Sequence, residues 1–257
     1  MPFDKVIQSI SSLREEISGE FEVLLKEMSA RFGTKPDPDE IFRPLPEPQD
    51  LSVSLMQALK ARRSERSFSN EPLSDQDLSN ILFAADGINR KNGRRTTPSA
   101  LDWQDTEIYV LKANGIWRWV PERRGLIFCA REDIRARTCY AQPTVARAPV
   151  QLVYVSNRAK TRNTFTDLAE KVFTKISRDV WTEEKIDEMR VRATHINVGA
   201  KIEAVYLAAA TMDIACVSRT GFPTEELARL LHLTEDEAIV ACQSLGYRPK
   251  SILDHIR

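Results

Sequence analysis

ARRSERSF, residues 61–68, places Arg62, Arg63 and Arg66 within five positions, interrupted only by Ser64 and Glu65. The segment it closes, SLMQALKARRSERSF, reads as a helix with Leu55, Ala58 and Leu59 turned inward. Arg62 and Arg66 would then share a face, where like charges four apart cost an isolated helix a few tenths of a kcal/mol. Guanidinium groups are planar forks that stay protonated and grip phosphate or carboxylate oxygens in pairs. Several beside a serine hydroxyl therefore point to an anionic ligand. A solvated basic helix end, mildly favoured by the helix dipole, is the other reading the octapeptide allows.

The chain as a whole supplies no field for that purpose. Its 257 residues carry 37 basic and 37 acidic side chains, so an anion site must be local, and neither nucleic acid nor an anionic membrane is an expected partner. With 42% hydrophobic residues, a chain of this length buries a full core. No apolar run is long enough to span a membrane, and the acidic start MPFDKVIQSISSLREEISGE lacks the pattern of a secretion signal, so a cytoplasmic protein is expected. Cys129, Cys139, Cys216 and Cys242 show neither paired spacing nor a nearby histidine and are expected to be reduced and mostly buried. His195, His232 and His255 are too scattered to suggest a metal site.

Upstream of the arginines, residues 3–32 space Val6, Ile10, Leu13, Ile17, Phe21, Leu24 and Met28 by three and four, the mark of an amphipathic helix that Gly19 could divide. GTKPDPDEIFRPLPEPQD then carries five prolines, which no regular helix or central strand tolerates. Residues 1–50 are therefore expected to be an appended helix and an extended linker, and residues 51–257 the main domain. Downstream, LSDQDLSNILFAADGI predicts a helix with Ser74 as N-cap and Gly87 as its stop. TEIYVLK and GIWRWVPE predict a hairpin turning at Asn114 and Gly115. REDIRARTCYAQPTVARA is expected to start helical, and APVQLVYVS suits a central strand. One long helix is expected between Trp181 and Met212, with Ile202, Val205, Tyr206 and Ala209 as its buried stripe. DIACVS and AIVACQSLGY read as strands around a short helix, TEELARLLHL. The mixed order disfavours a purely parallel doubly wound sheet.

Nothing matches the phosphate loop of nucleotide hydrolases, the dinucleotide fingerprint, a zinc protease helix or a nucleophile elbow, and nine glycines are too few for a glycine-rich cradle. Two further stretches could carry chemistry. INRKNGRRTTPSALDWQD, residues 88–105, offers Pro98 and Ser99 as a helix start whose free N–H groups could meet a ligand, with Asp102 as acceptor and Gln104 as amide; an ordinary capped loop is equally compatible. SRTGF and GYRPK offer Arg219, Arg248 and Lys250, which could converge with the first cluster or simply be solvated.

Taken in order, these pieces resemble the nitroreductase family of flavoenzymes, in particular its short branch related to the azoline dehydrogenases. The likeness rests on a helix ending in RRSxRxF, on LSNILFAADGINR followed by RRTTPSALDWQ, on the hairpin, on the APVxLVYV strand, on Gly199 ahead of AVYL, and on the closing GYxPK. It covers about residues 51–250. The resemblance implies an α+β, three-layer sandwich with a mostly antiparallel sheet flanked by helices, an intertwined homodimer, and FMN at the subunit interface. Arg62, Ser64 and Arg66 would then hold the phosphate and part of the ribityl or pyrimidine edge, with Arg63, Arg219, Arg248 and Lys250 as further candidates around the anion. Pro98, Ser99 and Ala100 would approach from the other subunit, and Asp102 and Gln104 would occupy the positions of a flavin-contacting Asn and Gln.

The chemistry so implied is ping-pong: NADH or NADPH reduces the flavin at N5, and a small-molecule acceptor, such as a nitroarene or quinone, is reduced in turn. No protein nucleophile and no metal are needed. An azoline-type dehydrogenase acting on a peptide heterocycle, or a flavin-fold binding module without turnover, are the alternatives. Two departures from the family pattern stand out: Asp102 replaces the Asn, and Glu203 and Ala204 stand where a Gln-Asn pair is usual. Trp103, Trp117 and Trp119 are expected in core or interface packing.

Overall fold

Val150–Asn157 (β5) is buried at every position but the last, on both its faces, as in a strand covered on both sides. The computed structural model describes residues 40–161 and 182–249. The predicted helix over residues 3–32 lies outside them. Seven strands of the described residues form one sheet in the order β1-β4-β3-β2-β5-β7-β6, and every pairing is antiparallel. The strands are β1 (Phe42–Pro44), β2 (Thr106–Lys112), β3 (Gly115–Val120), β4 (Gly125–Ala130), β5, β6 (Ile214–Arg219) and β7 (Glu237–Tyr247). Gly115 starts β3 at φ +135°, a conformation open to glycine, which lets the β2–β3 hairpin close at the predicted turn.

Helices cover both faces, making the α+β sandwich. Leu152 and Tyr154 of β5 face α2 (Asp75–Asp86) and the long helix α5 (Glu183–Thr211), meeting Leu78, Ile81, Leu82, Val198, Val205 and Ala209. Val153 and Val155 face the other way, towards Phe222 and the Leu227 of α6 (Thr224–Leu230). The predicted caps of α2 are present: Ser74 accepts from the Asp77 N–H at 3.0 Å, and the chain leaves the helix at Gly87. Trp103, Trp117 and Trp119 are all buried, as are Cys139, Cys216 and Cys242, while Cys129 is exposed; all four cysteines are free.

Four local expectations are corrected. Helix α1 (Leu55–Ala61) stops before the arginines, and of its three inward candidates only Ala58 is buried; Leu55 and Leu59 are exposed. Within the proline-rich stretch, Phe42–Pro44 forms an edge strand against β4, where a missing N–H is harmless because it faces away from the ladder. Beyond it, the carbonyls of Pro46 and Glu47 accept from Ser79 and Gln76 of α2. Pro98 and Ser99 open only a three-residue 3-10 turn (Ala100–Asp102), because Ser99 Oγ accepts from the Gln104 N–H at 2.8 Å and no longer helix follows. After Arg131, a 3-10 turn (Arg135–Thr138) and a four-residue helix, α3 (Pro143–Ala146), replace the predicted helical start. A further four-residue helix, α4 (Arg158–Thr161), follows β5.

Candidate functional site

The chain turns out of α1 at Arg62, whose N–H still closes on the Ala58 carbonyl at 2.8 Å while its ψ of 124° is already extended. Residues 62–69 then pass the middle of β6 and reach the end of β7. The Glu65 N–H bonds the Cys216 carbonyl and the Ser69 N–H the Tyr247 carbonyl, each at 2.8 Å. Arg62 and Arg66 are therefore not neighbours on a helix, and the repulsion expected from that geometry does not arise. In an extended chain alternate side chains share a side, and two groups of side chains separate here.

One group is Arg63 with Glu65. The Arg63 Nε donates to Glu65 at 2.9 Å, and Arg248 donates to the other Glu65 oxygen at 2.7–2.8 Å while also pairing with Asp213. Burial pushes the Glu65 carboxyl up, but the hydrogen bonds and charges of Arg248 and Arg63 outweigh it and hold the group below its ordinary value. The same bonds raise Arg248 further. Both arginines are thus spent on carboxylates of this chain.

The other group faces Tyr206 of α5. Its phenol oxygen accepts from the Ser218 N–H at 2.8 Å and lies 3.1 Å from Ser64 Oγ and 3.3 Å from Ser218 Oγ. The Arg62 guanidinium sits over the Tyr206 ring, 5.4 Å from its centroid. Neither Arg62 nor Arg66 has a carboxylate partner among the described residues. Arg219, at the end of β6, is buried and turns into the sheet. It donates to the Thr138 carbonyl and hydroxyl at 3.2 Å and to Gln151 at 3.1 Å, and it also bonds Ser244. Lys250 lies outside the described residues.

The loop before β2 is organised differently. Arg95 forks onto Gln104 Oε1 at 3.0 and 3.1 Å and pairs with Glu122 at 2.6 Å. Gln104 donates onward to Asp102 at 3.1 Å, and Arg94 approaches the other Asp102 oxygen at 3.8 Å. Asp102 and Gln104 both take positive φ, 55° and 49°, which aspartate tolerates better than most residues but which is uncommon for glutamine. Behind them the Ala100 N–H bonds Asn197 at 3.2 Å, and Lys201 reaches Asp86 at 2.5 Å and Thr97 Oγ1 at 3.2 Å in a fully buried pair. The structure thus brings Arg62, Ser64, Arg66 and Arg219 to one sheet edge, and Ser99, Ala100, Asp102 and Gln104 to one pre-formed loop.

Sequence reasoning missed three residues that build these sites. Tyr206 was readable only as part of an apolar stripe, because nothing in AVYL reveals where its hydroxyl ends. Lys201 left a signal: it falls between Val198 and Val205 on the buried face of α5, where a cation requires a partner. Arg95 had none, since Glu122 and Gln104 meet it only through the fold.

Comparison with known proteins agrees with this architecture. The family model described as "Nitroreductase family" matches residues 59–247. A protein of Methanocaldococcus jannaschii, provisionally named a nitroreductase, is 28% identical over 197 residues, covering 73% of this chain and 89% of its own. A crystal structure from Ralstonia eutropha JMP134, also provisionally named a nitroreductase, superposes with a TM-score of 0.69 at 29% identity, covering 84% of this chain and 93% of that one. The NADPH:FMN oxidoreductase of Vibrio harveyi, solved with NAD+, shares the fold at a TM-score of 0.51 and 19% identity, over 76% of this chain and 69% of its own. With its motifs in order and most of its length matched, this chain belongs to the nitroreductase family.

Proposed function

We propose that the protein is an FMN-dependent oxidoreductase that takes hydride from NADH or NADPH and delivers it to a small organic acceptor such as a nitroarene or quinone. The observation that carries this reading is the partition of cations at the β6 edge. Arg63 and Arg248 are neutralised by Glu65 and Asp213, whereas Arg62 and Arg66, on either side of Ser64 in the sequence, have no carboxylate partner among the described residues. Such a set fits a phosphomonoester and the polar edge of a flavin. Bound there, FMN would supply the redox chemistry at its N5 atom. Arg62, Ser64 and Arg66 bind and orient it in this reading, with Lys250 as a further candidate. The Vibrio harveyi relative, named as an FMN oxidoreductase, supports the cofactor by analogy of fold.

The resemblance also implies a homodimer, and two features favour it. Leu55, Met56 and Leu59 on α1 and Val191 and Ile196 on α5 leave large apolar side chains exposed. Gly199, within α5, costs helix stability relative to alanine, yet a Cβ there would meet nothing among the described residues, as suits the close approach of a second body. In that dimer Pro98, Ser99 and Ala100 of one subunit would face the flavin of the other. Among the described residues no helix is long and apolar enough to cross a membrane.

A second reading has a specific observation behind it. Gln104 Oε1 accepts twice from Arg95 and its Nε2 donates to Asp102, so most of its amide is already engaged within the chain. That favours a flavin-binding partner module without turnover. The visible spectrum of the purified protein, before and after NADH or NADPH, separates the readings. Rapid bleaching reversed by a quinone or nitroarene supports the oxidoreductase; bound flavin that neither nucleotide bleaches supports the module; protein that takes up no FMN contradicts both.

A further inference from the structure

A cleft of about 560 Å³ opens where the end of β2 and the start of β5 meet residues 70–73 and the residues after α3. Small-molecule sites span about 300–1,000 Å³, so the space suits a compact organic ligand. Lys112, Arg135 and Arg147 line it, and no carboxylate among the described residues does. Arg135 is spent within the chain: it forks onto Asp133 at 2.8 Å and donates to the Ala148 and Pro149 carbonyls at 3.3 and 3.4 Å. The other two cations are not. The Lys112 side chain is only 15% exposed, yet its ammonium makes no hydrogen bond among the described residues. Its ion pair is with Asp75 at 3.9 Å, a carboxylate that already holds Arg43 at 2.5 Å. An ammonium carries three donors, and burying it without partners costs free energy. Burial accordingly lowers the pKa of Lys112, and the charge of Arg43 acts in the same direction. The exposed Arg147 side chain has neither ion pair nor hydrogen bond among the described residues. Between these cations the walls are apolar, built by the buried Leu73, Pro149 and Val150.

We propose that this cleft binds a small organic acid, its carboxylate taken by Lys112 and Arg147 and its apolar body by Leu73, Pro149 and Val150. In the sheet order β5 stands two strands from β6, so this site is separate from the arginines of residues 62–66 and does not depend on the flavin reading. The competing role is a solvated basic groove in which Lys112 serves only to hold Asp75.

The full-length parent, Lys112→Met and Arg147→Gln separate the two roles. Each is melted without ligand and titrated calorimetrically with hexanoate, benzoate, inorganic phosphate and the neutral benzyl alcohol. For a binding site, the parent takes up hexanoate or benzoate saturably, phosphate more weakly and the alcohol not at all. Lys112→Met then binds the acid at least about tenfold more weakly, as expected when one partner of a buried charge pair is removed. Without ligand it melts no lower than the parent, because a desolvated cation has gone and Asp75 keeps Arg43. Arg147→Gln, at an exposed position, loses affinity about three- to tenfold with unchanged melting, and it decides the matter should Lys112→Met not fold. A parent that binds neither acid saturably overturns the proposal, as do acids bound equally by the parent and both variants. Phosphate bound as tightly as hexanoate overturns the apolar half of the assignment. FMN affinity that is unchanged by saturating benzoate and by Lys112→Met supports a separate site; benzoate that displaces FMN, with FMN bound more weakly by Lys112→Met, shows the cleft to be part of the cofactor site and overturns it.

Discussion

Arg62 and Arg66 beside β6, and Arg94 and Arg95 in the loop before β2, are the same residue type in similar local sequence, ARRSER and NGRRTT. Their surroundings differ. Arg95 is consumed by Gln104, Glu122 and Asp86, and Arg94 leans on Asp102. Arg62 rests on an aromatic ring, and Arg66 makes no ion pair among the described residues. One arginine pair builds a loop and the other is left for something outside the chain. An arginine whose geometry is satisfied internally shapes structure, whereas one held in place without a carboxylate marks a site for an anion.

The largest effect is expected on the structural side. Lys201→Met strands the buried Asp86 carboxylate with only Arg95 at 3.7 Å, and should destabilise folding by about 3 kcal/mol, read from denaturant midpoints. Replacing Asp86 and Lys201 together by Leu and Met should cost clearly less, since no unpaired charge is then left behind. On the ligand side, Tyr206→Phe removes the acceptor of the Ser218 N–H and the neighbour of Ser64 Oγ. A loss of about 1–3 kcal/mol is expected, together with weaker FMN binding, because a half-buried donor is orphaned and the serine loses its anchor.

A smaller effect depends on pH. The Glu65 carboxyl is lowered in the folded state, so its contribution is complete above its ordinary value of 4.5 and is lost as pH falls through the lowered folded value. The urea midpoint of the parent should therefore fall towards that of Glu65→Gln on acidification, with the two differing most near neutrality. Equal pH profiles would show that the Arg63–Glu65–Arg248 group contributes nothing. Smallest of all is Arg63→Ala. Its side chain is 63% exposed, and loss of the pair with Glu65 should change stability by less than about 1 kcal/mol and leave FMN affinity unaltered.

How much of this could be read from the sequence follows from the range of each interaction. α2, the hairpin, β5, α5, β6 and β7 were legible because their apolar period and their caps are local, as Ser74 and Gly87 show. The end of α1 was not, because the 62–69 stretch is pulled out of helix by β6 and Tyr247, more than a hundred residues away. β1 was hidden by its prolines, which an edge position excuses, and the strand Gly125–Ala130 left no clear signal beside the hairpin it extends. At the site, the residue types were legible and their division was not. Nothing in ARRSERSF says that Glu65 belongs to Arg248 of GYRPK rather than to its neighbour alone, and only the fold turns Arg219 inward.

The most direct test of the account compares the parent with Arg66→Ala. FMN affinity is measured by flavin fluorescence quenching, and the stability of the ligand-free protein by urea denaturation. An exposed arginine without an ion pair should be dispensable for folding, so the urea curves should agree within about 0.5 kcal/mol while FMN affinity falls by roughly tenfold or more. If Arg66→Ala unfolds more readily but binds FMN as tightly as the parent, the 62–66 stretch is part of the scaffold and the cofactor lies elsewhere.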